Sequence, residues 1–196
     1  MREKQQLHQN KFFSDILNTY SGIGKEVGAI KDDRVNIQVF QYDREQEPES
    51  AAVYYPYVLT TWEVQYQTLF RKRVENVCVM TNRIKGGSTL AHDLPPLSNM
   101  AVSVSETMEA KLSTEEAVED AREMVRRYYV HIARSWSVPV IRQRGEQSVY
   151  VPYLIVSKPG RIRQREHVYL YEPLSASYEK IKAFPEIHKF YREKVI

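Results

Sequence analysis

Cysteine is almost missing: the 196-residue chain holds one, Cys78, inside VENVCVMT. A single thiol cannot close an internal disulfide, and the chain is expected in a reducing cytoplasm. Long apolar runs are missing too. No stretch approaches the roughly 18 residues that a membrane-spanning helix needs. MREKQQLHQNKFF has no uninterrupted apolar segment, so a signal peptide is not expected. Charge of one sign is scarce: 28 Lys and Arg against 25 Asp and Glu leave a net +3. A protein that coats nucleic acid normally carries a stronger excess, so composition does not select that partner.

The local patterns of common chemistry are also wanting. Five histidines, His8, His92, His131, His167 and His188, include no i,i+4 pair, and no HExxH or Cys-x-x-Cys occurs. RIKGGST at 83–89 lacks the spacing of a phosphate loop, and no helix follows to supply backbone amides. There is no G-x-S-x-G elbow. Cys78 lies between Val77 and Val79 and reads as a small strand residue rather than a nucleophile. His92 and Asp93 read as a solvated loop pair. Glu115 and Glu116 open a helix, where the macrodipole accounts for them. No catalytic residue, metal ligand or cofactor is therefore expected.

Tyrosine is plentiful, with 14 copies against 6 phenylalanines, and suits half-buried strands and interfaces because its ring packs while its hydroxyl stays wet. Residues 5–21 carry Leu7, Phe13, Ile16, Leu17 and Tyr20 on one helical face. VNIQVFQY alternates as a strand. VYYPYVLTTWEVQYQTLF is a second, and VENVCVMTN, after the basic turn RKR, a third. Residues 83–100 read as a linker, with a short strand at 100–105. Ser113 and Glu116 make a capping box for a helix to residue 135, with Val118, Ala121, Val125, Tyr128 and Ile132 on one face. Glu123 and Arg127 form a favourable i,i+4 pair. Then SVPVIRQR, VYVPYLIVS and EHVYLYEPL read as strands, with turns at Gly145-Glu146 and PGRIRQR, and Pro185 opens a short C-terminal helix.

Two stretches match: VYYPYVL at 53–59 and VYVPYLI at 149–155. Each is followed by a basic turn and an alternating strand. The sequence thus predicts an α+β protein with a duplicated helix-plus-three-strand unit, antiparallel sheets and a C-terminal helix. The units are 1–84 and 113–196, joined by a linker at 85–112. The element order is analogous to that of cystatin-like folds, which fixes no function. Proline is expected at the start of each long strand, where ladder pairing is interrupted.

The leading functional expectation is a non-enzymatic interaction or structural subunit of an intracellular assembly, with a protein partner or a second copy. Tyr54, Tyr55, Tyr57, Tyr150 and Tyr153 are its candidate interface residues, since interfaces favour aromatics. The alternative is nucleic-acid binding through Arg142, Arg144, Arg161, Arg163 and Arg165, basic residues flanked by tyrosines. A third reading is an enzyme or small-ligand binder with a pocket on a curved sheet.

Overall fold

The computed structural model describes residues 33–42, 51–159 and 166–195; the helix expected at 5–21 and the basic turn at 161–165 lie outside them. The described chain is mixed α/β, dominated by one eight-stranded sheet. Its strands are β1 (Arg34–Phe40), β2 (Ala51–Gln67), β3 (Lys72–Asn82), β4 (Ser88–Ala91), β5 (Leu97–Ser103), β6 (Val140–Pro159), β7 (Glu166–Glu172) and β8 (Ser177–Lys180). Helix α1 spans Thr114–Arg127 and α2 spans Pro185–Val195. Along the sheet the order is β4-β3-β2-β6-β1-β5, and β7 pairs with β6 and β8.

The region read as a linker is part of the sheet. Its glycines, Gly86 at φ 74° and Gly87 at φ 89°, build the turn between β3 and β4, a left-handed conformation that glycine adopts without a Cβ clash. Further on, β5 pairs with β1 over seven residues. The strands of the two expected units therefore lie side by side in one sheet. The two stretches read as SVPVIRQR and VYVPYLIVS are one strand, β6, with no turn between them. Gly145 sits where the register slips against Thr61 and Trp62, so it marks a bulge. A Cβ there would meet Thr61 Oγ1 at 3.1 Å.

The matching stretches are each other's partners. Val53 lies opposite Tyr153, Tyr54 opposite Pro152, Tyr55 opposite Val151, Pro56 opposite Tyr150 and Tyr57 opposite Val149. Both prolines stand inside their strands, not at the start. The Pro56 carbonyl accepts the Arg83 N–H at 3.1 Å, and the Tyr54 carbonyl accepts the Met108 N–H at 3.0 Å. Both residues thus turn their main chain away from β6, and there β2 changes partner. Tyr54 bridges Thr107 in parallel, whereas from Tyr57 onward β3 pairs antiparallel. The far edge of β6 does likewise around Pro152: parallel to β1 at Tyr150, antiparallel to β7 from Leu154. A residue without an N–H fits the one place where the ladder hands over.

Strand alternation then sorts the core. Odd-numbered residues of β2 and β6, among them Val53, Tyr55, Val149, Val151 and Tyr153, pack with Ile181 and with Ile187 of α2. On the opposite face Trp62, Val64 and Tyr66 pack against Ala121, Val125 and Tyr129. The capping box forms: Ser113 N–H donates to Glu116 at 2.8 Å, and Glu116 N–H donates to Ser113 Oγ at 3.1 Å. The expected apolar face departs from the sequence reading at its end. Residues Tyr128–Ile132 make a π-type turn, whose wider winding rotates the stripe. Tyr129 and Ala133 join the core, and Ile132 points outward.

Candidate functional site

Two assemblies of side chains stand out, one closed and one open. The closed one is a tyrosine network between the odd-numbered face of the sheet and α2. Tyr55 donates to Asn82 Oδ1 at 3.2 Å and to Glu186 Oε1 at 3.1 Å. Asn82 Oδ1 also accepts the N–H groups of Ile84 and Lys85, which ties the network to the β3–β4 turn. Lys85 Nζ pairs with Glu186 at 2.9 Å and stands 5.5 Å from the Phe184 ring centre. Tyr153 donates to Glu172 at 3.4 Å, and its ring meets Tyr55 edge-on at 6.0 Å.

Burial first pushes the Tyr55 and Tyr153 phenols well above their ordinary pKa, with Glu186 adding to the rise at Tyr55, and Tyr57 and then Glu172 at Tyr153. Tyr57 is raised too, mainly by burial. Desolvation is the largest influence on the Glu186 carboxyl and would raise it, but the Lys85 hydrogen bond and charge, a backbone N–H and the Tyr55 hydroxyl together outweigh it and hold the group below its ordinary value. These phenols stay protonated at neutral pH, and Tyr55 and Tyr153 serve as donors to carboxylates. That arrangement orients and rigidifies; it supplies no activated nucleophile or base. A smaller copy of the theme lies under α1, where Tyr66 and Tyr129 both donate to Glu75, Tyr129 at 2.8 Å.

The tyrosines expected at an interface are thus interior. Tyr55 is 1% exposed, Tyr54 and Tyr153 are buried, and Tyr57 and Tyr150 are half-buried. Their rings pack within this chain because strand pairing turns Tyr54 toward Ile37 and Val39, and Tyr55 toward α2. Of the expected basic set, Arg142 and Arg144 come together, but on a carboxylate. Arg142 lies 3.6 Å from Glu63, and Arg144 bonds the other oxygen of the same group. The Arg144 hydrogen bond first, then one from Gln65, and lastly the Arg142 charge hold Glu63 below its ordinary pKa. Arg161, Arg163 and Arg165 lie outside the described residues.

The open assembly was not foreseen. At the end of the sheet beyond Glu63, large apolar side chains face solvent. Phe70 is 87% exposed, Val138 80% and Trp136 71%, with Leu69, Val74 and Val140 also exposed. The Trp136 N–H donates to Gln67 O at 2.8 Å, drawing the segment after α1 against the β2–β3 turn. Val74 and Val140 flank Gln65 from the two neighbouring strands. In sequence, Leu69-Phe70 reads as the end of a strand and SVPV as the start of one, with Trp136 between it and the helix. Only their joint placement makes a surface.

Other routes to a function lead nowhere in particular. Among the described residues no three His, Cys, Asp or Glu groups gather as metal ligands, and no helix is long and apolar enough to cross a membrane. Comparison with protein-family models, with curated proteins and with solved structures finds no match, so no likeness carries a function to this chain.

Proposed function

We propose that this protein is a non-enzymatic interaction subunit, binding a protein through the open end of its sheet. One observation carries the reading: Leu69, Phe70, Trp136, Val138 and Val140 are exposed together at one end. A contiguous exposed apolar patch marks an interaction surface, whereas scattered apolar residues need no explanation. Tryptophan and its aromatic neighbours are the residues that dominate binding energy when a partner covers them. The interior tyrosine network complements this surface by making the scaffold stiff.

We also read the two Val-Tyr-x-Pro-Tyr strands as copies of one ancestral unit. Their register supports it: the five positions pair about a local two-fold centred on Tyr55 and Val151. Tyr54 and Tyr150, equivalent in the two motifs, each hold a parallel bridge on the outer edge, to Thr107 and Val39.

The test is capture from native lysate with the tagged full chain, with and without nuclease. A protein retained by wild type after nuclease, and lost with Phe70→Ser/Trp136→Ser, supports the reading. Recovery indifferent to that double change overturns it. Recovery that collapses with nuclease would instead favour nucleic acid. Arg161, Arg163 and Arg165 to Ala would then lower the salt slope by about one unit per lost phosphate contact.

A further inference from the structure

We infer that the open edge of β6, beside α1, is a self-recognition surface whose occupant is a second copy of this chain. This rests on the interaction reading above and names the partner. Four observations converge on it.

The first is the edge itself. The near side of β6 is paired with β2 from Val140 onward, but its far side has strand partners only at Tyr150 and beyond Leu154 among the described residues. Tyr54 turns its main chain away from β6, so Glu63 and Gln65, on the other parity of β2, turn toward it. Their partners Arg142 and Val140 therefore face β2, and Ile141 and Gln143 direct N–H and C=O groups outward. An unpaired edge is a template for another strand.

The second is the space beside that edge. A groove of about 330 Å³ runs between α1 and the start of β6, floored by Val138, Pro139 and Ile141. Val138, four-fifths exposed, is of the size and chemistry to fill the groove of a facing copy.

The third is charge. The α1 wall of the groove is Glu119, Arg122, Glu123 and Arg126. Within the chain Glu119 pairs with Arg122, and Glu123 with Arg126 and Arg127; laid antiparallel against itself, the stripe meets opposite charges again. A two-fold axis sets Glu119 against the other copy's Arg126, and Arg122 against its Glu123. A closed two-fold contact demands this kind of self-complementarity. Exposed ion pairs add little affinity but fix partner and register. The fourth lies on the opposite sheet face, where Arg142 and Arg144 are folded back onto Glu63 and not extended over the edge.

The experiment is sedimentation of the purified full chain over a concentration series. Wild type is expected to double in mass with rising concentration. Glu119→Arg alone sets Arg against Arg126 across the axis, and Arg126→Glu alone sets Glu against Glu119; each is expected to stay monomeric. An equimolar mixture of the two variants has opposite charges at both contacts and is expected to recover the dimer. Gln143→Pro removes an outward N–H and is expected to abolish the dimer with a urea midpoint matching that of wild type at concentrations where it is monomeric, as proline is tolerated where a strand edge faces solvent. A wild type monomeric throughout the series overturns the inference, as does a mixture that behaves like its components. Either result, together with partner capture that still depends on Phe70 and Trp136, leaves the interaction reading standing, so the two failures are distinguishable.

Discussion

Strand β2 runs through two regions built on the same alternation and finished differently. In its first half the odd-numbered side chains, Val53 and Tyr55, are 3% and 1% exposed beneath α2 and the Ile181–Ala183 turn. In its second half the odd-numbered side chains are Glu63, Gln65 and Gln67; the first two are half-buried and the last exposed. The opposite face of this second half, Trp62, Val64 and Tyr66, is sealed by α1. The pleat decides which side chains share a face. What arrives to cover that face decides whether it is core or surface. The odd-numbered face of β2 is thus covered by α2 at one end and left half-buried or exposed at the other.

The comparison can be broken most forcefully at its sealed end. Tyr55→Ala should cost about 3–5 kcal/mol, the range for truncating a large buried aromatic, read from urea denaturation. A loss no larger than that of a surface change would mean α2 does not seal this face. Alkaline pH probes the same end without mutation. Tyr55, Tyr57 and Tyr153 have raised pKa values in the fold. Their contribution to stability is fully present below the ordinary tyrosine pKa near 10 and is lost as pH rises above it. The phenolate absorbance of these residues should appear together with unfolding, not before it. Early, non-cooperative ionisation would contradict their burial.

Smaller effects sharpen the contrast. Tyr129→Phe removes one of two phenol donors to the half-buried Glu75 and should cost about 0.5–1.5 kcal/mol, the usual net worth of a hydrogen bond. At the open end, Phe70→Ser and Trp136→Ser should each shift stability by no more than about 0.5 kcal/mol, as surface changes do, while weakening partner capture. A large stability loss there would show that these side chains hold the fold instead.

How much of this was legible in sequence varies by element. Helix α1 was readable at its start, because a capping box is a local arrangement whose partners lie three residues apart. Its end was not, since a π-type turn changes the period without a distinctive residue. Gly145 has turn chemistry and became a bulge, because the long β2 strand offers β6 continuous pairing on both sides of it. The linker reading at 83–100 failed for a related reason. Two glycines and two prolines mark breaks in the chain, but the short strands between them take their pairing from β3 and β1, which are distant or opposite in direction. The tyrosines expected at an interface are buried or half-buried in this chain, and sequence does not separate the two settings: a tyrosine is equally at home in a core with a hydroxyl partner and at an interface.

By itself the sequence determined the strand alternation, the capped start of α1, the proline opening of α2 and the matching of two motifs ninety-six residues apart. These depend on neighbours within a few residues, or on identity of pattern. Only the tertiary structure decided that the two motifs pair with one another, that the tyrosines close inward onto Asn82, Glu172 and Glu186, and that Phe70 and Trp136 stand exposed at one end. Those outcomes depend on which distant segment covers which face, and burial is a property of the covering segment as much as of the residue it covers.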